Sequence, residues 1–432
     1  LKETMLWLKS NKVVPAVAKA IPESSGNAKI ALLEILAEKR ATDFKEVLYA
    51  ETNNSDAKVR LAALNALASV SEKSDQQRLF KLFQPSSDDK ELKAIKNALV
   101  AVAMQLETPM EKRGFLQGSQ SLNVDKKALF LEILPELGGE EALDVVKENY
   151  HSNNAKLKKS AFTALTNWKG LGATSTLYDI SENDIGMGNQ AAMAFLQQVN
   201  SSDAPDEQKL LLIRKLVSAT SSKDVERKAI QSIGKIPTFS ALVFVKNFMD
   251  DSALEQDAAR AVMGIALPGN GREGLAGDIV KQSLERVMDV IEGGESEYDI
   301  ANIQKYLNGM SEEPGFVSVF NGKDLSGWKG LVENPIARAK MSEKELAKKQ
   351  AKANEEMTEF WSVKDGVLWF NGKGHNLCTD KKYGDFEMLV DWRISKNGDS
   401  GIYLRGTPQV QVWDTSRVDV GAQVGSGGLY NN

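Results

Sequence analysis

The chain is poor in several things, and each scarcity excludes something. Cys378 is the only cysteine, so neither an internal disulfide nor a cysteine-built zinc site can form. No apolar run approaches the roughly 18 residues that a membrane-spanning helix needs. No basic run is long enough to argue for a nucleic-acid partner, and the net charge is only −5. A single cysteine leaves the compartment open. The opening Leu1 is read as the start of a mature or trimmed product, with any signal peptide out of view. What is present is ordinary for a soluble globular protein: 42% hydrophobic and 26% charged residues over 432 positions, enough for two or three domains.

Residues 1–308 read as helices almost throughout. A short polar or acidic opener precedes an apolar helix rich in small residues, as at Asn27, Asp56, Asp89, Asp125, Asn154, Asp224 and Ser252. Leu67, Leu99, Leu134, Leu165, Leu196 and Ile233 recur at matching places, roughly 31–37 residues apart, a spacing in the range of helical repeats. The openers suit N-caps, and the alanines let paired helices approach closely. The pattern resembles a HEAT or armadillo-type α-solenoid, in which each helix pair buries its apolar face only by stacking on its neighbours.

Two glycine strings fall inside this region. Gly269, Gly271 and Gly274 spell a dinucleotide-type fingerprint, and Gly186-Met187-Gly188 begins a weaker one. Such a site needs a strand before it and a helix after it. Both strings lie between helices, so both read as loops. His151 follows Tyr150 at a helix end and reads as a cap or surface residue.

The helical pattern breaks over 309–315, which reads as a linker. Beyond it lie Trp328, Trp361, Trp369, Trp392 and Trp413, leaving only Trp7 and Trp168 before it. Residues 316–329 read as a first strand and turn. Residues from about 338 to 357 are rich in Lys, Glu and Ala, and Ser342 with Glu345 gives a capping-box signal, so a helical insert is expected there. It is polar nearly all round and reads as a solvated surface helix or as a wall beside a cleft. Strands resume at Phe360–Val363 and Val367–Phe370, joined by a turn at Asp365-Gly366.

The stretch 386–414 alternates apolar and polar residues in three short runs separated by turn clusters at 397–399 and 406–408. Phe386, Met388, Val390, Trp392 and Ile394 share one face, with Asp391 and Arg393 on the other. Ile402 and Leu404 oppose Tyr403 and Arg405. Val410 and Val412 oppose Gln409, Gln411 and Trp413. Three adjacent strands would pool the apolar face for a core and gather acids, guanidiniums, amides and rings on the other, a mixture suited to a sugar.

The segments VFNGKDLSGWK (319–329), VKDGVL (363–368), YGDFEMLVDWRI (383–394), GDSGIYLRG (398–406) and VQVWD (410–414) resemble, in order, the signature of the 3-keto-disaccharide hydrolase domain family. The resemblance covers the last quarter of the chain. It implies a concanavalin A-like antiparallel β-sandwich over 316–432, and too few residues follow Phe316 to complete one, so the sandwich is expected to be incomplete at its C-terminus. The insert at about 338–357 departs from the shorter family pattern.

An ordinary glycosidase holds two carboxyl groups about 5–5.5 or 6.5–9.5 Å apart. Glu387 and Asp391 share a face, but four strand residues at about 3.3 Å each separate them by roughly 13 Å. The resemblance implies another reaction. A ketone at carbon 3 acidifies the proton on carbon 2, the glycosidic bond leaves by elimination, and water adds. That chemistry asks for one base and a donor to the developing enolate. Asp391 or His375 is the candidate base, unless it lies in the part of the sandwich still wanting. Arg405 or Arg393 is the candidate enolate or hydroxyl donor, and Tyr403, Gln411 and Trp413 are candidates for orienting the ring. The blander readings are cross-strand pairing of Asp391 with Arg393 or Arg405, a solvated His375, ordinary packing of Trp413 and a small buried Cys378. No ligand spacing argues for a metal, although the acids leave a divalent cation open. Two rivals stand beside the enzyme: a non-catalytic carbohydrate-binding module on a repeat scaffold, and a solenoid that docks a protein partner. The family resemblance implies a periplasmic or cell-surface location.

Overall fold

The structure, a computed structural model, describes residues 2–269, 271–406, 408–414 and 426–430. The chain divides into two compact units, one of residues 1–275 and 282–309, the other of residues 276–281 and 310–432. As expected, the first is helical and the second carries antiparallel strands.

In the helical unit, the helices Ala57–Val70, Asp89–Ala103, Ala155–Thr166, Gly188–Ser201, Lys223–Ile233 and Glu255–Ala266 belong to one series of stacked elements. Shorter helices such as Lys45–Glu51, Gln76–Phe83 and Thr174–Asn183 alternate with them. The recurring apolar positions are what the stack encloses: Leu67, Leu99, Leu134, Leu165, Leu196 and Ile233 are all buried. The capping side chains are Asp56, which accepts from the Lys58 amide, and Asn154, which accepts from Lys156 and Leu157. At two others the cap falls one or two residues before the expected opener: Asp88 and Asn123 make the bonds, while Asp89 and Asp125 sit in the first turn, where their charge favours the helix N-terminus. The helices expected to open at Asn27, Asp224 and Ser252 have no capping side chain. Ion pairs link helices well separated in sequence: Lys45 meets Asp75 at 2.9 Å, Arg60 meets Glu91 at 3.0 Å, Lys96 meets Glu132 at 2.6 Å and Arg227 meets Asp257 at 3.1 Å.

Neither glycine string follows a strand: the second ends where the helix Gly188–Ser201 begins. Gly269 bridges back to Arg272, whose guanidinium caps the Gly264 carbonyl at 2.5 Å. At 184–188 the Asp184 carboxylate accepts from the Gly186 and Met187 amides. His151 caps the helix Glu140–Tyr150.

Among its described residues the second unit contains seven strands in three antiparallel sheets, and no closed barrel forms among them. β1 (Trp328–Gly330) pairs with β4 (Leu377–Thr379); β2 (Trp361–Lys364) pairs with β3 (Val367–Phe370); β5 (Asp399–Tyr403), β6 (Gln409–Trp413) and β7 (Leu429–Tyr430) form the third. The turn between β2 and β3 has Asp365 at φ +50° and Gly366 at φ +74°, the left-handed pair that a tight hairpin demands. The insert is the helix Glu343–Phe360, capped by Ser342, which accepts from the Glu345 amide. It is docked rather than free, with Ala353 and Met357 buried and Gly330 of β1 against it.

Two expectations are corrected. The run Phe386–Ile394 belongs to no ladder among the described residues, and Phe386, Met388, Val390 and Trp392 are each 40–52% exposed. Alternation says which side chains share a face; a strand also needs a neighbour for its backbone N–H and C=O groups. The third strand of the β5–β6 ladder is instead Leu429–Tyr430, which carries no alternating run long enough to announce itself. Residues 316–327 form turns rather than a strand, held by the Asn321 and Asp324 side chains, which accept from the amides of Lys323, Asp324 and Ser326.

Candidate functional site

The β5–β6 register decides which side chains meet. Asp399 lies opposite Trp413, Gly401 opposite Gln411 and Tyr403 opposite Gln409, so these six residues share one face of the hairpin. Three sequence candidates, Tyr403, Gln411 and Trp413, are therefore brought together. Asp399 and Gln409 join them, and neither was singled out from the sequence. In the sequence Asp399 closes the turn cluster 397–399, and counting back by twos from Tyr403 is the signal that finds it.

The face is wired from within. Gln411 is buried, and its side-chain amide donates to Asp399 Oδ1 at 2.7 Å. Its oxygen accepts from Gln409 Nε2 at 3.1 Å, and the same Gln409 amide also reaches the Ser400 carbonyl at 3.4 Å. A Cβ on Gly401 would come within 1.9 Å of Gln409 Nε2, so the missing side chain is what lets Gln409 lie across the strand. Asp399 and Tyr403 are exposed and Trp413 is half-buried, leaving a carboxylate, an amide pair and two aromatic rings on one surface.

Arg405 follows β5 in the turn that returns the chain to β6. Its φ of +58°, together with +97° at Gly406, puts a non-glycine residue in the left-handed region, a conformation that side chains with a Cβ avoid and that recurs at functional sites.

The remaining candidates stand on other elements. Asp391 and Arg393 lie in the run outside the ladders, and the Arg393 guanidinium sits 5.9 Å from the Trp369 ring centre. His375 lies in the loop before β4, with Nε2 3.4 Å from Glu356 of the insert helix. Its carbonyl accepts from Trp361 Nε1 at 3.1 Å, and Trp361 stacks on Phe370 with centroids 4.6 Å apart. Cys378 is half-buried in β4. Among the described residues no three His, Cys, Asp or Glu side chains converge as metal ligands would. Nor is any described helix long and apolar enough to cross a membrane. Two polar hollows of about 300 and 280 Å³ open on the helical unit, around Glu132 with Asn167 and around Trp168 with Gln198; the side chains singled out from the sequence lie on the β-unit instead.

Comparison with known proteins bears on the same unit. Residues 315–432 match the family described as the 3-keto-alpha-glucoside-1,2-lyase-like domain. A curated relative, the 3-keto-disaccharide hydrolase of Bacteroides thetaiotaomicron, is 26% identical over 98 residues, covering 21% of this chain and 27% of its own. The chain thus spans about a quarter of the length of the curated relative it matches. Among solved structures, an engineered protein is 16% identical with a TM-score of 0.31 over 68% of this chain and 88% of its own, and importin beta is 12% identical with a TM-score of 0.34 over 69% and 41%. Similarities of that depth carry no assignment for the helical unit. Residues 315–432 are thus similar to the 3-keto-alpha-glucoside-1,2-lyase-like domain, and a curated relative of this stretch is named as a hydrolase of 3-keto-disaccharides.

Proposed function

We propose that this protein is a carbohydrate-active enzyme that cleaves 3-keto-glycosides, 3-keto-disaccharides among them, by elimination and hydration, a net hydrolysis. The observation that carries the reading is the domain match over 315–432, and the hairpin face of Asp399, Tyr403, Gln409, Gln411 and Trp413 supports it. Rings on such a face stack on a pyranose, while the amides and the carboxylate read hydroxyls. Arg405, displayed by its turn, and Arg393 are the candidate donors to an enolate oxygen. Asp391 and His375 remain the candidates for the base named from the sequence. The helical unit is read as a HEAT-like scaffold with a docking role, and the periplasm or cell surface as the site of action.

The test is to incubate the protein with a 3-keto-disaccharide and with its unoxidised parent, following reducing sugar. Turnover of the keto-sugar alone is the expected result. Wild-type protein that binds sugars but releases no product from either removes the enzyme and leaves a binding module.

A further inference from the structure

Two departures from good strand design converge on one carboxylate. Gln411 buries an amide at a position where an apolar side chain of similar volume packs without desolvating polar atoms. Gly401, directly opposite, weakens the interior of β5. Each is explained by the other: the glycine admits Gln409, Gln409 donates to Gln411, and Gln411 donates to Asp399. Of the three, Gln411 is the buried member, and with both its amide nitrogen and its oxygen hydrogen-bonded its geometry is fixed. Local rules are broken most often where function needs them broken.

What the network fixes is the orientation of Asp399. Its Oδ1 is held at 2.7 Å by Gln411, and among the described residues Oδ2 has no hydrogen-bond partner. Asp399 is exposed, sits across the ladder from Trp413, and is the only acid on the β5–β6 face. The other candidates lack that combination. Asp391 stands outside the ladders, and His375 lies in the loop before β4, paired with Glu356 of the insert helix.

We propose that Asp399 is the catalytic base of the elimination, with Gln411 as its positioning residue; this rests on the 3-keto-glycoside reading above. The carboxylate Oδ2 takes the proton from carbon 2. The C2–H electron pair, delocalised onto the C3 ketone oxygen as an enolate, then forms the C1=C2 bond as the C1–O bond breaks. The departing alkoxide takes a proton from water, and the hydroxide left behind takes the proton held by Asp399, which resets the base. Hydration returns a hydroxyl to carbon 1 and a proton to carbon 2, so the sequence is redox-neutral and needs no co-reactant beyond water.

The experiment uses the full chain and a 3-keto-disaccharide in D2O, reading kcat, KM and deuterium at carbon 2 of the released keto-sugar by NMR. Asp399→Asn keeps the shape and the contact with Gln411. It is expected to lower kcat by about 100-fold or more, with KM changed by less than about threefold, as loss of a general base does. Gln411→Leu, which packs at the same site without the amide, is expected to lower kcat by about tenfold and to move the acid limb of its pH profile, a shift that a purely structural role does not produce. Circular dichroism of both variants checks the fold. Folded Asp399→Asn retaining more than a tenth of wild-type kcat overturns the assignment, as does an unchanged pH profile in Gln411→Leu. Loss of turnover in Asp391→Asn or His375→Gln while Asp399→Asn stays active moves the base elsewhere and leaves the reaction class standing. Wild-type protein with neither turnover nor exchange at carbon 2 removes the reaction class and this role with it.

Discussion

The helical unit and the β-unit close their cores by different means. In the first, the apolar sides of neighbouring helices meet, and Phe80, Phe115 and Phe130 pack with centroids 5.3–6.0 Å apart at one such junction. In the second, the buried apolar set among the described residues from 310 on is short: Val332, Ala353, Met357 and Val412. Phe386, Met388, Leu389, Val390 and Trp392 remain in contact with solvent. A stack of helices satisfies its backbone within each helix and needs neighbours only for its side chains. A sheet needs neighbours for both, and those neighbours come from distant sequence. One unit is therefore robust to local change and the other depends on a few long-range seams.

Three perturbations probe that contrast. The largest effect is expected at Lys29–Glu51, a 2.6 Å pair whose side chains are about nine-tenths buried, with Glu51 also accepting from Asn54 at 2.6 Å. Lys29→Met leaves a buried carboxylate uncompensated and is expected to cost about 3–5 kcal/mol. Chemical denaturation followed by far-ultraviolet circular dichroism reads it, and a loss below about 1 kcal/mol shows that the stack tolerates even this. Next comes Gly330→Ala. A Cβ there falls 2.1 Å from the Ala353 carbonyl oxygen, so β1 and the insert helix must part, at about 1–3 kcal/mol. Five of the seven tryptophans lie in this unit, so tryptophan fluorescence reports it. The helical signal at 222 nm is expected to melt as before; if both signals shift together, the two units do not unfold separately.

The smallest effect is a pH dependence in the helical unit. Lys158, with help from Tyr150, holds the Asp184 carboxyl down from its ordinary 3.8 to about 2. A depressed carboxylate stabilises the fold above its unfolded pKa and loses that contribution as pH falls through the folded one. The window is therefore from about pH 4 down to about pH 2. Asp184→Asn is expected to lower the melting temperature by a few degrees at neutral pH and to converge on wild type near pH 2. A difference that persists unchanged at pH 2 assigns the loss to packing of the 184–188 loop instead of to charge.

What could be read from sequence follows the same division. The buried series from Leu67 to Ile233, the Ser342 cap and the Asp365-Gly366 turn were legible because each is a local pattern with a local cause. The run 386–394 has as clean an alternation as β6, yet it was misread as a laddered strand because lateral pairing is not encoded in alternation. The hairpin face was half legible. Parity put Tyr403, Gln411 and Trp413 on the polar side, but it gave no hint that Gln411 would be buried or that Gly401 clears space for Gln409. Those are properties of register, visible only once the two strands lie side by side.

The seam at Gly330 carries a further consequence. The helix facing β1 donates the Gln350 amide to the Gly330 carbonyl at 2.8 Å and offers Asn354 Oδ1 to the Gly330 amide at 3.2 Å. Those are the backbone groups that a bare strand margin would present to any passing chain. The inserted segment is thus a guard rail as much as an ornament, shielding one side of β1 from unwanted partners.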